Sequence, residues 1–298
     1  MTLGTADICD RALVLGPGGV LGTAWMAGLV GGLRGIGVDL GQADLTIGTS
    51  AGAIVSALLT TGQDFDRLAA PARPSGEEAP ARRVDGALTA SVFAVLGEPG
   101  LDPGEARRRV GRIALDNADP DAEHMLIAER GALIGADAWP QQRLLLTAVD
   151  AGTGEPAVWD RTSGIPLVRA VAASSAFPGA EPPVGFEGRW YMDGALRAGT
   201  NVDLAAGART LVVIEPMAHL FPREQFEQEA AVVGAQNVVA IGPDPDAVRA
   251  LGSDLNDRAK WTQAYRAGLA QAEPAAEGLR SVWRAASAEA SAERSTGI

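Results

Sequence analysis

Twice in its first sixty residues the chain runs from a short apolar stretch through a cluster of small residues into a longer apolar one. No other feature narrows the fold as much. Residues 12–15 (ALVL) lead into GPGG, and residues 45–47 (LTI) lead into GTSAG. A short apolar run closed by glycines is the pattern of a strand buried on both faces. Helical spacing follows each turn, over about 22–34 and 51–61. The second of these, AGAIVSALLTT, is apolar on nearly every side, as a buried helix is. Strand, glycine turn and helix in succession are the layout of an α/β protein with a central, mainly parallel sheet. Gly28 would let the first helix lie close against a neighbour.

A membrane reading of the same residues fails on backbone grounds. Residues 12–33 carry no charge and are long enough to span a bilayer, but they hold seven glycines and Pro17. A glycine cluster breaks a helix and leaves backbone groups unpaired in lipid. Asp7 and Asp10 stand where a signal peptide would be basic, so the expectation is a soluble, cytoplasmic protein. Cys9 is the only cysteine, which rules out a disulfide within the chain and fits a reducing compartment. The hydrophobic fraction, 47%, suffices for a large core. The net charge of −12 repels nucleic acid, so no nucleic-acid partner is expected. It also limits contact with a membrane surface to a transient one, since anionic lipid recruits basic clusters.

Order changes at Asp64. Residues 71–83 (PARPSGEEAPARR) have the composition of an exposed loop, and 84–139 are helical in places. The stretch 64–140 is therefore expected to be a cap inserted into a core of about 10–62 and 143–245, within a single domain. Arg107, Arg108 and Arg109 are candidates for anion binding or, more simply, a solvated helix face. Strands are expected at 143–149, 189–192, 210–215 and 237–241, and a helix at 165–175. The tail, about 254–293, is rich in Ala, Arg and Glu with helical spacing. It has two uses open to it, packing on its own core or joining a second copy into an oligomer.

The sharpest chemical signal is Gly48-Thr49-Ser50-Ala51-Gly52 at a strand-to-helix turn. A strained turn of small residues lifts a serine hydroxyl clear of the backbone, and the helix behind it favours developing negative charge. Ser50 is thus the candidate nucleophile, and it needs a base. The candidates are His219, which follows a strand in the second half of the chain, His124 in the cap, and Asp193 at the Asp-Gly turn of YMDGA. The turn Gly16–Gly22 (GPGGVLG) offers adjacent amides at a helix start, suited either to a pyrophosphate or to an oxyanion. The dinucleotide reading requires glycine where Leu21 stands and uses Asp39 as the ribose ligand, and it leaves GTSAG without a purpose.

As an ordered set, GPGGVLG (16–22), GTSAG (48–52) and DGA (193–195) resemble the patatin-like phospholipase family. LTAVDAGTGE (146–155) and AASSAFPGAEPPV (172–184) are similar to two further blocks of that family. The resemblance covers about 10–62 and 143–215. It implies a three-layer fold, the sheet carrying helices on both faces and a helical cap. It also implies a catalytic dyad of Ser50 and Asp193 in which neither histidine is needed, with the oxyanion hole formed by Gly18 and Gly19. No cofactor and no metal are called for, and the implied substrate is a lipid or small acyl ester. Three positions depart from the family's pattern. Pro17 replaces a frequent glycine and removes an amide. Leu21 replaces a frequent basic residue, and with it a cation that would recognise phosphate. Ala195 replaces the final glycine of the third motif. The resulting expectation is a serine acyl-ester hydrolase; the alternative is a non-catalytic nucleotide- or acyl-binding module on the same scaffold.

Overall fold

The computed structural model describes residues 9–70 and 85–295, with side chains of the last helix described as far as Trp283. The loop expected at 71–83 lies outside the described residues. Strand β1 (Arg11–Leu15) is buried along its whole length and runs into α1 (Gly19–Gly35). Strand β2 (Leu45–Gly48) runs into α2 (Ala51–Thr60). Three helices follow, α3 (Gly86–Leu96), α4 (Pro103–Asp116) and α5 (Pro120–Ile134). The chain then returns to the sheet as β3 (Arg143–Asp150) and β4 (Pro156–Trp159). After α6 (Leu167–Ser174) come the hairpin strands β5 (Val184–Phe186) and β6 (Arg189–Asp193) and the single turn α7 (Ala195–Ala198). The last part comprises β7 (Thr210–Ile214), α8 (Arg223–Val233), β8 (Asn237–Ile241), α9 (Pro245–Leu251) and α10 (Trp261–Ser295).

The sheet has eight strands, ordered β5-β6-β3-β2-β1-β7-β8, with β4 also paired to β3. Its parallel heart is β3-β2-β1-β7-β8, and β4, β5 and β6 are antiparallel additions. Parallel strands need crossovers and cover on both faces, which explains the unbroken apolar character of β1 and β7. On one face Leu13 and Leu15 of β1 join Trp25, Leu29 and Leu58 in the main core. On the other, Ala12, Val14 and Ile47 meet Phe226 and Val233 of α8. The architecture is a mixed α/β fold with helices flanking a central sheet.

The segment expected to be a cap divides in two. Leu126 and Ile134 of α5 belong to the main core, so α5 is part of a sheet-covering layer beside α2 and α6. Helices α3 and α4 build a separate cluster of Val92, Val110 and Ala114 against Val149 and Met192. The tail uses its apolar face within the chain: Ala264, Tyr265, Ala272 and Leu279 enter the main core. Gly28 of α1 faces the Tyr265 carbonyl and Gly268 faces the Trp25 carbonyl, with no room for a Cβ at either place. Among the described residues no helix is long and apolar enough to cross a membrane.

Elements absent from the sequence reading are β4, β5, α7, α8 and α9. Strands of three or four residues are too short to show a period, and α8 (REQFEQEAAVV) is polar on most of its surface. Three helix starts follow one chemistry. Asp102, Asp119 and Asp244 each precede a proline and accept a backbone N–H from the first turn. An N-cap carboxylate satisfies an otherwise unpaired amide, and proline at the first helical position has none to lose.

Candidate active site

Ser50 stands between β2 and α2 with φ 56° and ψ −117°, a region sparsely populated by residues bearing a Cβ. Its neighbours leave the turn no latitude. Thr49 N–H donates to the Leu15 carbonyl at 3.0 Å and Gly52 N–H to the Gly16 carbonyl at 3.1 Å. A Cβ on Gly52 would run into that same Leu15 carbonyl, so only glycine fits there. The Ser50 N–H donates to Ser174 Oγ at 3.1 Å. The backbone is thereby fixed on both sides, and the hydroxyl projects from the turn.

Asp193 reaches the same place along β3. Gly48 is opposite Leu146 and Asp193 is opposite Ala148, so a single residue of β3, Thr147, separates the partner positions. The Ser50 hydroxyl donates to Asp193 Oδ2 at 2.7 Å. The other carboxylate oxygen, Oδ1, accepts the Ala195 N–H at 2.8 Å, and the Asp193 N–H donates to the Ala176 carbonyl at 3.0 Å. Asp193 is 1% exposed, whereas Ser50 retains 8%. Burial pushes the Asp193 carboxyl up to about 7, against the Ala195 amide, the Ser50 hydroxyl and the Arg130 charge, which favour the ionised form. Burial that lifts a carboxyl toward neutrality is one of the ways a side chain is tuned for proton transfer.

The Gly16–Gly22 turn presents amides. Gly18 caps α1 with φ −176° and ψ 5°, and Gly19 adopts φ +62°, the left-handed region that glycine enters without strain. Among the described residues, neither the Gly18 nor the Gly19 amide donates to a protein acceptor. Two such N–H groups at a helix start form an anion pocket. Pro216 packs against Gly18 and Gly22 at distances that exclude a Cβ on either. Leu21 is fully buried, so that position supplies packing rather than charge to the turn.

The other candidates separate from this site. His219 is exposed on a 3₁₀ turn after β7, where partial desolvation holds its imidazole below the ordinary value. His124 is exposed on α5. Among the described residues the Ser50 hydroxyl donates to Asp193 and to neither histidine. The dinucleotide reading also loses its acid, because Asp39 caps a 3₁₀ turn through the Gly41 N–H and pairs with Arg34. The arginines at 107–109 are committed on and beside α4. Arg107 donates to the Gly154 carbonyl, Arg108 and Arg109 bind Glu105, and Arg109 also binds Glu98. Among the described residues no group of His, Cys, Asp and Glu could hold a metal ion.

Four residues around the pair were not singled out in the sequence. Ser174 holds the Ser50 amide, and Arg130, buried between Ser175 and Glu181, acts on Asp193 through its charge. Thr147 and Asn201 form a buried polar cluster with Thr49. Ser174 and Thr147 lie in blocks similar to the family's, where the sequence assigns neither a role. Nothing local marks the other two, since an arginine on a helix or an asparagine in a turn is ordinary surface chemistry until burial is known.

Comparison with known proteins adds three findings. The patatin-like phospholipase family matches residues 13–206, a span that contains both glycine turns and Asp193. No curated protein matches the sequence. Among solved structures, VipD from Legionella pneumophila is 13% identical with a TM-score of 0.45, over 91% of this chain and 67% of its own. ExoU in its complex with SpcU from Pseudomonas aeruginosa is 17% identical with a TM-score of 0.34, over 87% of this chain. The chain spans about half the length of ExoU, 53%.

Proposed function

The chain belongs to the patatin-like phospholipase family, and on that premise we propose that it is a serine acyl-ester hydrolase acting on lipid esters through Ser50 and Asp193. Membership supports a lipid hydrolase activity in general. The observation that carries the finer reading is the 2.7 Å hydrogen bond from the Ser50 hydroxyl to a buried carboxylate. Ser50 Oγ attacks the ester carbonyl carbon while Asp193 Oδ2 takes its proton. The amides of Gly18 and Gly19 hold the oxyanion that forms. Asp193 then gives the proton to the departing alcohol, leaving an acyl-Ser50 ester. Water attacks this ester, Asp193 takes the water's proton, and collapse releases the fatty acid and restores the Ser50 hydroxyl.

Aspartate in water is a poor base for this work, with a pKa of about 3.9. Burial raises Asp193 to about 7, near the working pH, where a general base is most effective. The absence of a cation at Leu21 favours the acyl ester, rather than a phosphate head group, as the recognised feature.

The test is a fluorophosphonate probe with a panel of p-nitrophenyl esters of increasing chain length, phosphatidylcholine and a monoacylglycerol. Wild type should be labelled on Ser50 and should hydrolyse at least one ester class, while Ser50→Ala should do neither. Hydrolysis that survives in Ser50→Ala would overturn the assignment.

A further inference from the structure

The site contains a side chain that hydrogen-bonds to a sequence neighbour of each member of the pair, Thr49 beside Ser50 and Gly194 beside Asp193, and has no role in the chemistry above. Asn201 is 1% exposed, although it lies in the polar stretch GTNVD and adopts a left-handed conformation with φ 60° and ψ 29°. Its Nδ2 donates to Thr49 Oγ1 at 3.0 Å and to the Gly194 carbonyl at 3.1 Å, with Thr147 Oγ1 at 3.4 Å. Thr49 precedes Ser50 and Gly194 follows Asp193. One amide group therefore joins the residue before the hydroxyl to the residue after the carboxylate. Thr49 and Thr147 hydroxyls complete the cluster at 2.9 Å.

The orientation of that amide is dictated by its surroundings. Arg197 Nη1 lies 2.7 Å from Asn201 Oδ1, and a guanidinium can only donate. The oxygen must face Arg197, so the NH₂ must face Thr49 and Gly194. Arg197 is in turn held by both carboxylate oxygens of Asp203, at 2.8 and 2.6 Å. Gly194 has no slack either, because a Cβ there would clash with the Thr147 backbone and hydroxyl. We infer that Asn201 is a positioning residue, a clamp that fixes the Ser50 turn and the Asp193 turn at reacting distance and is itself aimed by the Arg197–Asp203 pair. The inference rests on the hydrolase reading above. Its leverage is distance: a misplacement of about 1 Å between reacting groups costs on the order of 100-fold in rate.

Asn201→Asp tests this with almost no change of shape. It keeps the acceptor toward Arg197 but turns an oxygen toward Gly194 O, removing the clamp's donor. Thr49→Val removes the receiving hydroxyl, and Thr49→Ser restores it. The expected result is a fall in kcat of about 10- to 100-fold for Asn201→Asp, with KM unchanged and the fluorophosphonate labelling rate falling in parallel. Thr49→Val should fall in the same sense, with recovery in Thr49→Ser. Should Asn201→Asp fail to fold, the Thr49 pair carries the test, with circular dichroism reporting the fold. Folded variants with wild-type kcat and labelling rate would overturn the clamp while leaving the hydrolase reading intact. A fall confined to KM would overturn it too. A wild type that neither hydrolyses nor labels would overturn the hydrolase reading and the clamp with it.

Discussion

The turn after β1 and the turn after β2 share one plan, a parallel strand passing through small residues into a helix, yet they place their unusual backbone in different kinds of residue. After β1 the positive φ falls on Gly19 (+62°), where it is free of strain, and what the turn leaves without a protein acceptor, among the described residues, is a pair of amides. After β2 it falls on Ser50 (56°), and what the turn exposes is a hydroxyl. A residue with a Cβ in such a conformation costs about 1–3 kcal/mol, and it persists where the surroundings over-determine it. The second turn is held partly by side chains: Ser174 on the Ser50 amide and Asn201 on the Thr49 hydroxyl, with the Leu15 carbonyl on the Thr49 amide. The first is held by backbone bonds, Gly16 N–H to the Ile214 carbonyl and Leu21 N–H to the Leu255 carbonyl, and by the packing of Pro216.

If the two turns serve one carboxylate, its loss should be the largest effect. Asp193→Asn is expected to lower kcat/KM by about 10⁴-fold, the scale seen when a base partner is lost with its geometry intact. In wild type kcat/KM should rise as pH rises through about 7, since Asp193 must be ionised to act. Stability should move the opposite way. The folded pKa, about 7, lies above the ordinary aspartate value of about 3.9, so the native state binds the proton more tightly than the unfolded chain. The stability contribution is complete below about pH 4 and is lost as pH rises through about 7. Denaturant titrations at pH 4 and pH 8 should show this drift in wild type and a smaller one in Asp193→Asn.

The next test separates the turns by what each one offers. Gly19→Ala forces a Cβ into the left-handed region beside Leu255 and Asn256 and should misdirect the amides. A loss of about 10²–10³ in kcat is expected, as for one oxyanion donor, with a modest fall in Tm. An unchanged kcat would detach the first turn from the reaction. Gly52→Ala should instead cost stability, about 1–3 kcal/mol or more by overpacking, because the obstacle is the Leu15 backbone and cannot rotate away; thermal melts measure it. The smallest effect belongs to Pro17→Gly, which loosens the unfolded chain and should lower stability by about 0.4–1 kcal/mol. A larger drop would mean that Pro17 helps to shape the amide pocket.

Much of this site was legible because its parts are local. The GTSAG turn, the GPGG turn and the Asp-Gly pair each carry backbone requirements that few residues satisfy, and their order along the chain set them in one family. The supports were not legible. Asn201 sits in a stretch that reads as solvent-facing, and its burial shows only where the fold sets it beside Thr49, Thr147 and Gly194. Arg130 lies on a helix expected in a cap, but α5 joins the core layer and brings a guanidinium behind Asp193. The Asp-Pro helix starts at 102, 119 and 244 were readable in principle, since capping is a local chemistry.

By itself the sequence determined which short segments become strand, turn and helix, and which side chains can attack, accept a proton or cradle an anion, because these depend on residues within a few positions of one another. Only the tertiary structure decided that a hydroxyl and a carboxylate 143 residues apart meet at 2.7 Å, and that burial lifts the carboxylate's pKa toward neutrality. Register and burial decide those two matters, and both are sums over contacts between distant segments that no local pattern contains.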